Sequence, residues 1–170
     1  TAGEKQARIA SISTMLGREK PGDPVKGKAI FTKSCGACHQ LFGEGGKVGP
    51  DLTTADRKNR GSLLASVVDP SGYIRPEYVT RVVNTLDGRT LSGVVTAQST
   101  DAITLATYTK DKVEAVTLPR NEVDKLSDSG LSLMPEKLLD TMSEAEIRDL
   151  FAYLASDDKP KPKEPLTPNP

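Results

Sequence analysis

The chain has 170 residues, with 23 basic and 23 acidic side chains, two cysteines, one histidine and no tryptophan. Zero net charge lacks the basic excess of a nucleic-acid binder, so no nucleic acid is expected as a partner. Two cysteines three positions apart cannot build a multi-disulfide scaffold, and the longest apolar run, around Leu63 to Val68, is far too short for a transmembrane segment.

Charge is unevenly spread: residues 1–60 carry 11 Lys/Arg and 6 Asp/Glu, whereas residues 61–170 carry 12 and 17. Ordinary solvated faces account for such a split; the functional alternative is an electropositive docking rim made by Lys26, Lys28, Lys33 and Lys47. Because the first residue is Thr1 and not Met, removal of a leader or of a larger parent is expected.

Residues 4–17 put Ile9, Ile12 and Leu16 on one helical face ahead of Pro21, which predicts a helical extension over 1–22. Asp23 and Pro24 then supply an N-cap and a first-turn proline for a helix over 24–34, with Gly27 and Phe31 one turn apart. A Gly-rich loop (43–49) leads through Gly49-Pro50-Asp51-Leu52 to a short helix over 61–68, stopped at Asp69-Pro70. Four runs rich in Val, Thr, Ile and Leu follow, over 78–86, 89–98, 102–108 and 113–118. Asp87-Gly88, Ser99-Thr100-Asp101 and Thr109-Lys110-Asp111 separate them, and this predicts an antiparallel sheet of three or four strands. After Gly130 helical character returns. Ser143 and Glu146 make a capping box, and Ile147, Leu150, Phe151 and Leu154 form the apolar stripe of a last helix. The end of the chain, 157–170, holds five of the twelve prolines and reads as a disordered tail or linker.

Between the second helix and the glycine loop stands Cys35-Gly36-Ala37-Cys38-His39, the C-x-x-C-H signature of c-type haem attachment. Two thiols at this spacing can add to the two vinyl groups on one porphyrin edge, and the next residue then lies under the ring, where an imidazole can bind iron. A thioredoxin-like dithiol would need a βαβ context, but here a helix precedes the motif and a glycine loop follows it. Zinc would need four ligands, and beyond Cys35, Cys38 and His39 the chain offers only carboxylates. A porphyrin also accounts for the thin core, since 36% of residues are hydrophobic and only seven are aromatic.

With His39 used, the sixth ligand cannot be a histidine; methionine, a lysine or other amine, water, or no ligand remain, and the chain has three methionines. Met15 lies upstream in the first helix and suits packing; Met142 precedes the Ser143 cap and suits a hydrophobic staple onto Ile147. Met134 sits in Leu131-Ser132-Leu133-Met134-Pro135, where Pro135 restricts the conformation before it. Met134 is therefore the expected distal ligand. His/Met ligation leaves both axial positions filled, which suits electron transfer and not O₂ or peroxide chemistry. The other ring N–H of His39 needs an acceptor, and a backbone carbonyl near Gly49-Pro50 is the candidate.

These features together resemble the class I cytochromes c, and most closely the planctomycete–verrucomicrobial putative haem-binding domain family. The matching residues are Gly27 and Phe31, CGACH, Val48-Gly49-Pro50-Asp51-Leu52-Thr53, Leu63-Leu64 to Asp69-Pro70-Ser71, Asp87-Gly88-Arg89 with Ser92-Gly93-Val94, Ser132-Leu133-Met134-Pro135, and Phe151 with Tyr153. The likeness covers 23–156. It implies a mainly α fold, a class I cytochrome c helical bundle around one covalent haem c, with a small antiparallel β-sheet inserted at about 77–127. That insertion would explain the 94 residues between His39 and Met134. It further implies that Gly27 packs against Tyr153 or Phe151, that the Pro50 carbonyl serves His39, and that Leu52 lines the haem. Arg57, Arg60, Tyr73, Arg75 and Tyr78 would flank the crevice as propionate partners, the alternative for each being a solvated surface residue; Arg57, Tyr73 and Tyr78 are the expected haem contacts.

The expected function is single-electron transfer by a mono-haem carrier, with redox proteins as donor and acceptor. The expected location is periplasmic or otherwise extracytoplasmic. A haem-based redox or gas sensor, an electron-transfer module of a larger oxidoreductase, and a β insertion serving protein recognition are the alternatives.

Overall fold

The computed structural model describes residues 1–18, 20–110 and 112–161. Four helices make one lobe: α1 (Ala2–Arg18), α2 (Pro24–Ser34), α3 (Arg60–Val68) and α4 (Glu144–Leu154). First-turn amides lack intrahelical acceptors, so the side chain before each helix supplies one. Asp23 accepts from the Val25 amide at 2.9 Å at the start of α2. Asn59 accepts from the Ser62 amide at 3.1 Å at the start of α3. Ser143 and Glu146 complete a reciprocal capping box on α4.

α2 and α4 cross at Gly27, and of the two aromatic residues expected there it is Tyr153 whose Cβ abuts the glycine. Phe31 meets the Tyr153 ring edge-on, with centroids 5.4 Å apart. α1 lies against α3 and joins the same core: Ile12 is buried, with Ile9, Met15 and Leu16 packed beside Leu63, Leu64 and Val67.

The insertion is a lobe with its own interior. β3 (Thr80–Thr85), β4 (Thr90–Gln98), β5 (Ala102–Thr109), β6 (Lys112–Pro119) and β7 (Val123–Asp128) form one antiparallel sheet in the order β6-β5-β4-β3-β7. β6 and β7 occupy opposite edges, yet only the turn Arg120–Glu122 joins them. Four strand spacings in a flat sheet span about 19 Å, more than the roughly 14 Å that four extended residues can reach. The sheet must therefore curl toward a barrel. Val83, Ile103, Leu105 and Leu118 share the inner face and are buried, flanked by Leu91, Val95, Val116 and Val123. None of these belongs to the helical core.

The expectation of a mainly α fold is overturned: the described residues are 36% helix and 26% strand. The four helices are short apart from α1, while the insertion is a complete five-stranded lobe. The sheet also has one strand more than the sequence suggested. β7 escaped notice because its register slips between Asn84 and Thr85: Thr85 faces Val123 while Asn84 faces Lys125. The extra residue breaks the two-residue alternation that marks a strand, leaving Val123 and Leu126 three apart on the same face. Of the Pro-rich tail, 162–170 lie outside the described residues. Asp157 and Lys159 are paired, with Lys58 and Glu44 respectively.

Candidate functional site

α2 delivers the C-x-x-C-H segment. Its last turn closes at Cys35, whose N–H donates to the Phe31 carbonyl at 2.7 Å, and a further turn brings the His39 amide to the Cys35 carbonyl at 2.9 Å. The glycine loop is laced along this segment by three amide-to-carbonyl bonds of 2.8 Å: Gly46 to Gly36, Gly49 to Cys38 and Leu52 to Gln40. So close an approach needs residues without side chains: a β-carbon on Gly46 would lie 2.1 Å from the Ala37 oxygen. Within the loop, β1 (Gln40–Leu41) and β2 (Glu44–Gly45) pair through a two-residue turn, Phe42-Gly43, both at positive φ. A left-handed phenylalanine is unusual. It is held by its N–H donating to Thr53 Oγ1 at 2.9 Å, by the Tyr153 ring and by the Arg57 guanidinium 4.9 Å above it.

His39 Nδ1 lies 2.9 Å from the Pro50 carbonyl oxygen. A carbonyl can only accept, so Nδ1 carries the proton and Nε2 keeps its lone pair for a metal. Burial pushes the imidazole below its ordinary pKa, with the Pro50 contact opposing, which favours the neutral, ligating form. Gly49 fits against the ring, where a β-carbon would meet His39 Cε1 at 2.7 Å.

Both cysteines are free thiols. Burial, and then the neighbouring Cys38, push Cys35 up to about 12, and burial also raises Cys38. Cys35 moreover caps the C-terminal, electronegative end of α2. A reactive dithiol wants the reverse, a thiolate stabilised at a helix N-terminus. Among the described residues no three His, Cys, Asp or Glu side chains gather as a group that could hold a metal ion. One imidazole with its Nδ1 engaged, two free thiols just before it in sequence and a glycine loop packed along the segment fit a covalently attached iron porphyrin.

The other sequence candidates are dispersed. Met134 is half-buried on the segment returning from the β lobe, its amide donating to Ser132 Oγ at 3.1 Å. Met15 and Met142 pack on the helical core. Leu52 packs there too. Arg57 uses Nη1 on the carbonyls of Leu154 at 2.5 Å and Ser156 at 2.7 Å, while its Nε is buried without a partner. Tyr73 is 81% exposed. Tyr78 is half-buried beneath the Arg75 guanidinium, and Arg60 is exposed at the start of α3. Of the four rim lysines, Lys28 is paired with Glu44 at 2.7 Å.

Sequence reading missed the polar groups that hold this framework: Thr53 on the Phe42 amide, Ser71 on the Ser132 amide at 3.0 Å, and Lys5 between Asp69 and Glu136. Their partners lie up to 131 residues away along the chain, and no local pattern announces them.

A family model described as Cytochrome c matches residues 24–157. No curated protein matches the chain.

Proposed function

The chain belongs to the cytochrome c family, and from that premise we propose that it is a mono-haem, single-electron carrier with His39 and Met134 as its axial ligands and Cys35 and Cys38 as its thioether attachments. The family implies covalently bound haem c and redox partners. The observation that carries the finer reading is the 2.9 Å contact of His39 Nδ1 with the Pro50 carbonyl, which leaves Nε2 as the free donor directly after two unpaired thiols.

When bound, the haem supplies an iron that alternates between ferric and ferrous states, taking up and releasing one electron. The chain's own groups tune it. Pro50 orients His39 and raises its basicity as a ligand. Burial lowers the pKa of the imidazole, against the opposing Pro50 contact, and so favours its neutral form. Met134 is favoured over the other two methionines because both of those are committed to the helical core. A thioether supplied by Met134 would compete with exogenous ligands for the iron. Arg57 retains one buried donor, Nε, for a propionate. Leu52, Tyr73 and Tyr78 complete the proposed contacts, and 23–156 is the proposed cytochrome unit, with 1–22 as its extension. The proposed partners are a redox-protein donor and acceptor in the periplasm or another extracytoplasmic space. No helix among the described residues is long and apolar enough to cross a membrane.

Purified protein carrying covalent haem, checked by mass, should give a low-spin spectrum with a methionine-to-iron charge-transfer band. Met134→Ala should abolish that band. Its survival in M134A with loss in M142A overturns the distal assignment, and carbon monoxide binding to the reduced protein at neutral pH favours a sensor instead.

A further inference from the structure

We propose that α1 is a clasp on the Met134 loop, in which Lys5 and Glu136 act as positioning residues for the axial thioether; this rests on Met134 being the distal ligand. The Lys5 ammonium lies 2.6 Å from Asp69 Oδ1 and 2.6 Å from Glu136 Oε1, so one cation joins three segments: α1, the end of α3 and the loop just past Met134. Asp69 is the C-cap of α3. Two residues on, Ser71 Oγ accepts the Ser132 amide at 3.0 Å.

Met134 therefore sits in the middle of a five-residue span, Ser132 to Glu136, pinned at both ends to Asp69-Pro70-Ser71. One end is pinned directly and the other through Lys5. Inside the span, the Met134 amide is bonded to Ser132 Oγ at 3.1 Å, and Pro135 removes one backbone freedom. Beyond it, Leu139 is buried in the helical core. Arg8 adds a second hold, its Nε 3.0 Å from Asp140 Oδ1 and its Nη2 donating to the Leu139 carbonyl at 3.4 Å.

Among the described residues, the hydrogen bonds around His39 come from the 35–52 segment itself and not from α1. The polar grip of α1 is concentrated on the methionine side. A thioether is neutral and has no charge of its own to hold it at a metal. Its occupancy depends on how often the loop presents it, which is an effective concentration set by the tethers.

The test uses full-length holoprotein and added imidazole, which competes with Met134 for the ferric site and erases the charge-transfer band. Lys5→Met and Glu136→Gln should each bind imidazole about fivefold more tightly than the parent protein. The double variant should gain little beyond either single one, because both remove the same contact. Lys58→Met, which breaks the more exposed Lys58–Asp157 pair of the same 2.6 Å length away from the loop, should leave imidazole binding unchanged. E136Q leaves α1 intact and decides the matter if K5M loosens the helix. Unchanged imidazole affinity in both clasp variants, while M134A still loses the band, overturns the clasp alone. Persistence of the band in M134A overturns the ligand assignment, and the clasp with it.

Discussion

A β-carbon on Gly27 would fall 1.8 Å from the carbonyl oxygen of Asp149, so α2 and α4 meet there backbone against backbone. Asp149 reinforces the crossing from its side chain, accepting the Asp23 amide at 2.7 Å. One helix leads into the C-x-x-C-H segment, and the other carries Tyr153, whose ring meets Phe31 and Phe42 on either side of that segment in sequence.

Gly27→Ala should therefore separate the helices and cost about 3 kcal/mol, the upper range for overpacking a site that cannot yield. Guanidinium denaturation of the holoprotein, followed at the haem absorbance, measures it. An unchanged midpoint would mean that the crossing has slack the structure does not display.

The two cores share no residue, which makes the lobes separable in energy. Leu105→Ala empties a fully buried position in the β lobe and should cost about 2–5 kcal/mol there. Amide exchange should quicken across β3–β7 and stay unchanged in α2 and α4. Uniform acceleration throughout the chain would show a single cooperative unit and defeat the expectation.

The α4 cap carries a pH signature. The Ser143 amide and then its hydroxyl hold Glu146 below its ordinary carboxylate value. A depressed folded-state pKa contributes stability that is complete above the unfolded value of 4.5 and is lost as pH falls through the folded value. The Glu146 share of the holoprotein's denaturation midpoint, read as the difference between the parent and Glu146→Gln, should thus hold from pH 7 to pH 5 and shrink below about pH 4.5. Glu146→Gln should start lower at pH 7 and decline less. Equal declines in the two proteins would remove Glu146 from the account.

How much of this was legible beforehand depended on distance along the chain. The caps at Asp23 and Ser143, the helix periodicities, the Asp87-Gly88 hairpin and the C-x-x-C-H segment are local patterns, and each could be read within a few residues. The weight of the β lobe could not, because a bulge at Asp124 disguises its last strand and its closure depends on which edges β6 and β7 occupy. Phe42 also hides the small β1–β2 hairpin, since a bulky residue is a poor signal for a left-handed turn. At the candidate site, His39 and its need for an acceptor followed from the motif. The hold on the Met134 loop did not, because Lys5 and Glu136 are 131 residues apart and meet only after folding.

The Ser129 amide donates to the Thr80 carbonyl at 2.8 Å, so the β lobe leaves the helical lobe's path and rejoins it at nearly the same point. Traced through that bond, the route from His39 to Met134 is about half as long as the 94 intervening residues. Halving a loop spares about 0.6 kcal/mol of closure entropy. For the methionine segment, the fifty residues of the lobe amount to little more than a tight turn. A different small domain with equally close ends could be exchanged for it without lengthening the path from His39 to Met134.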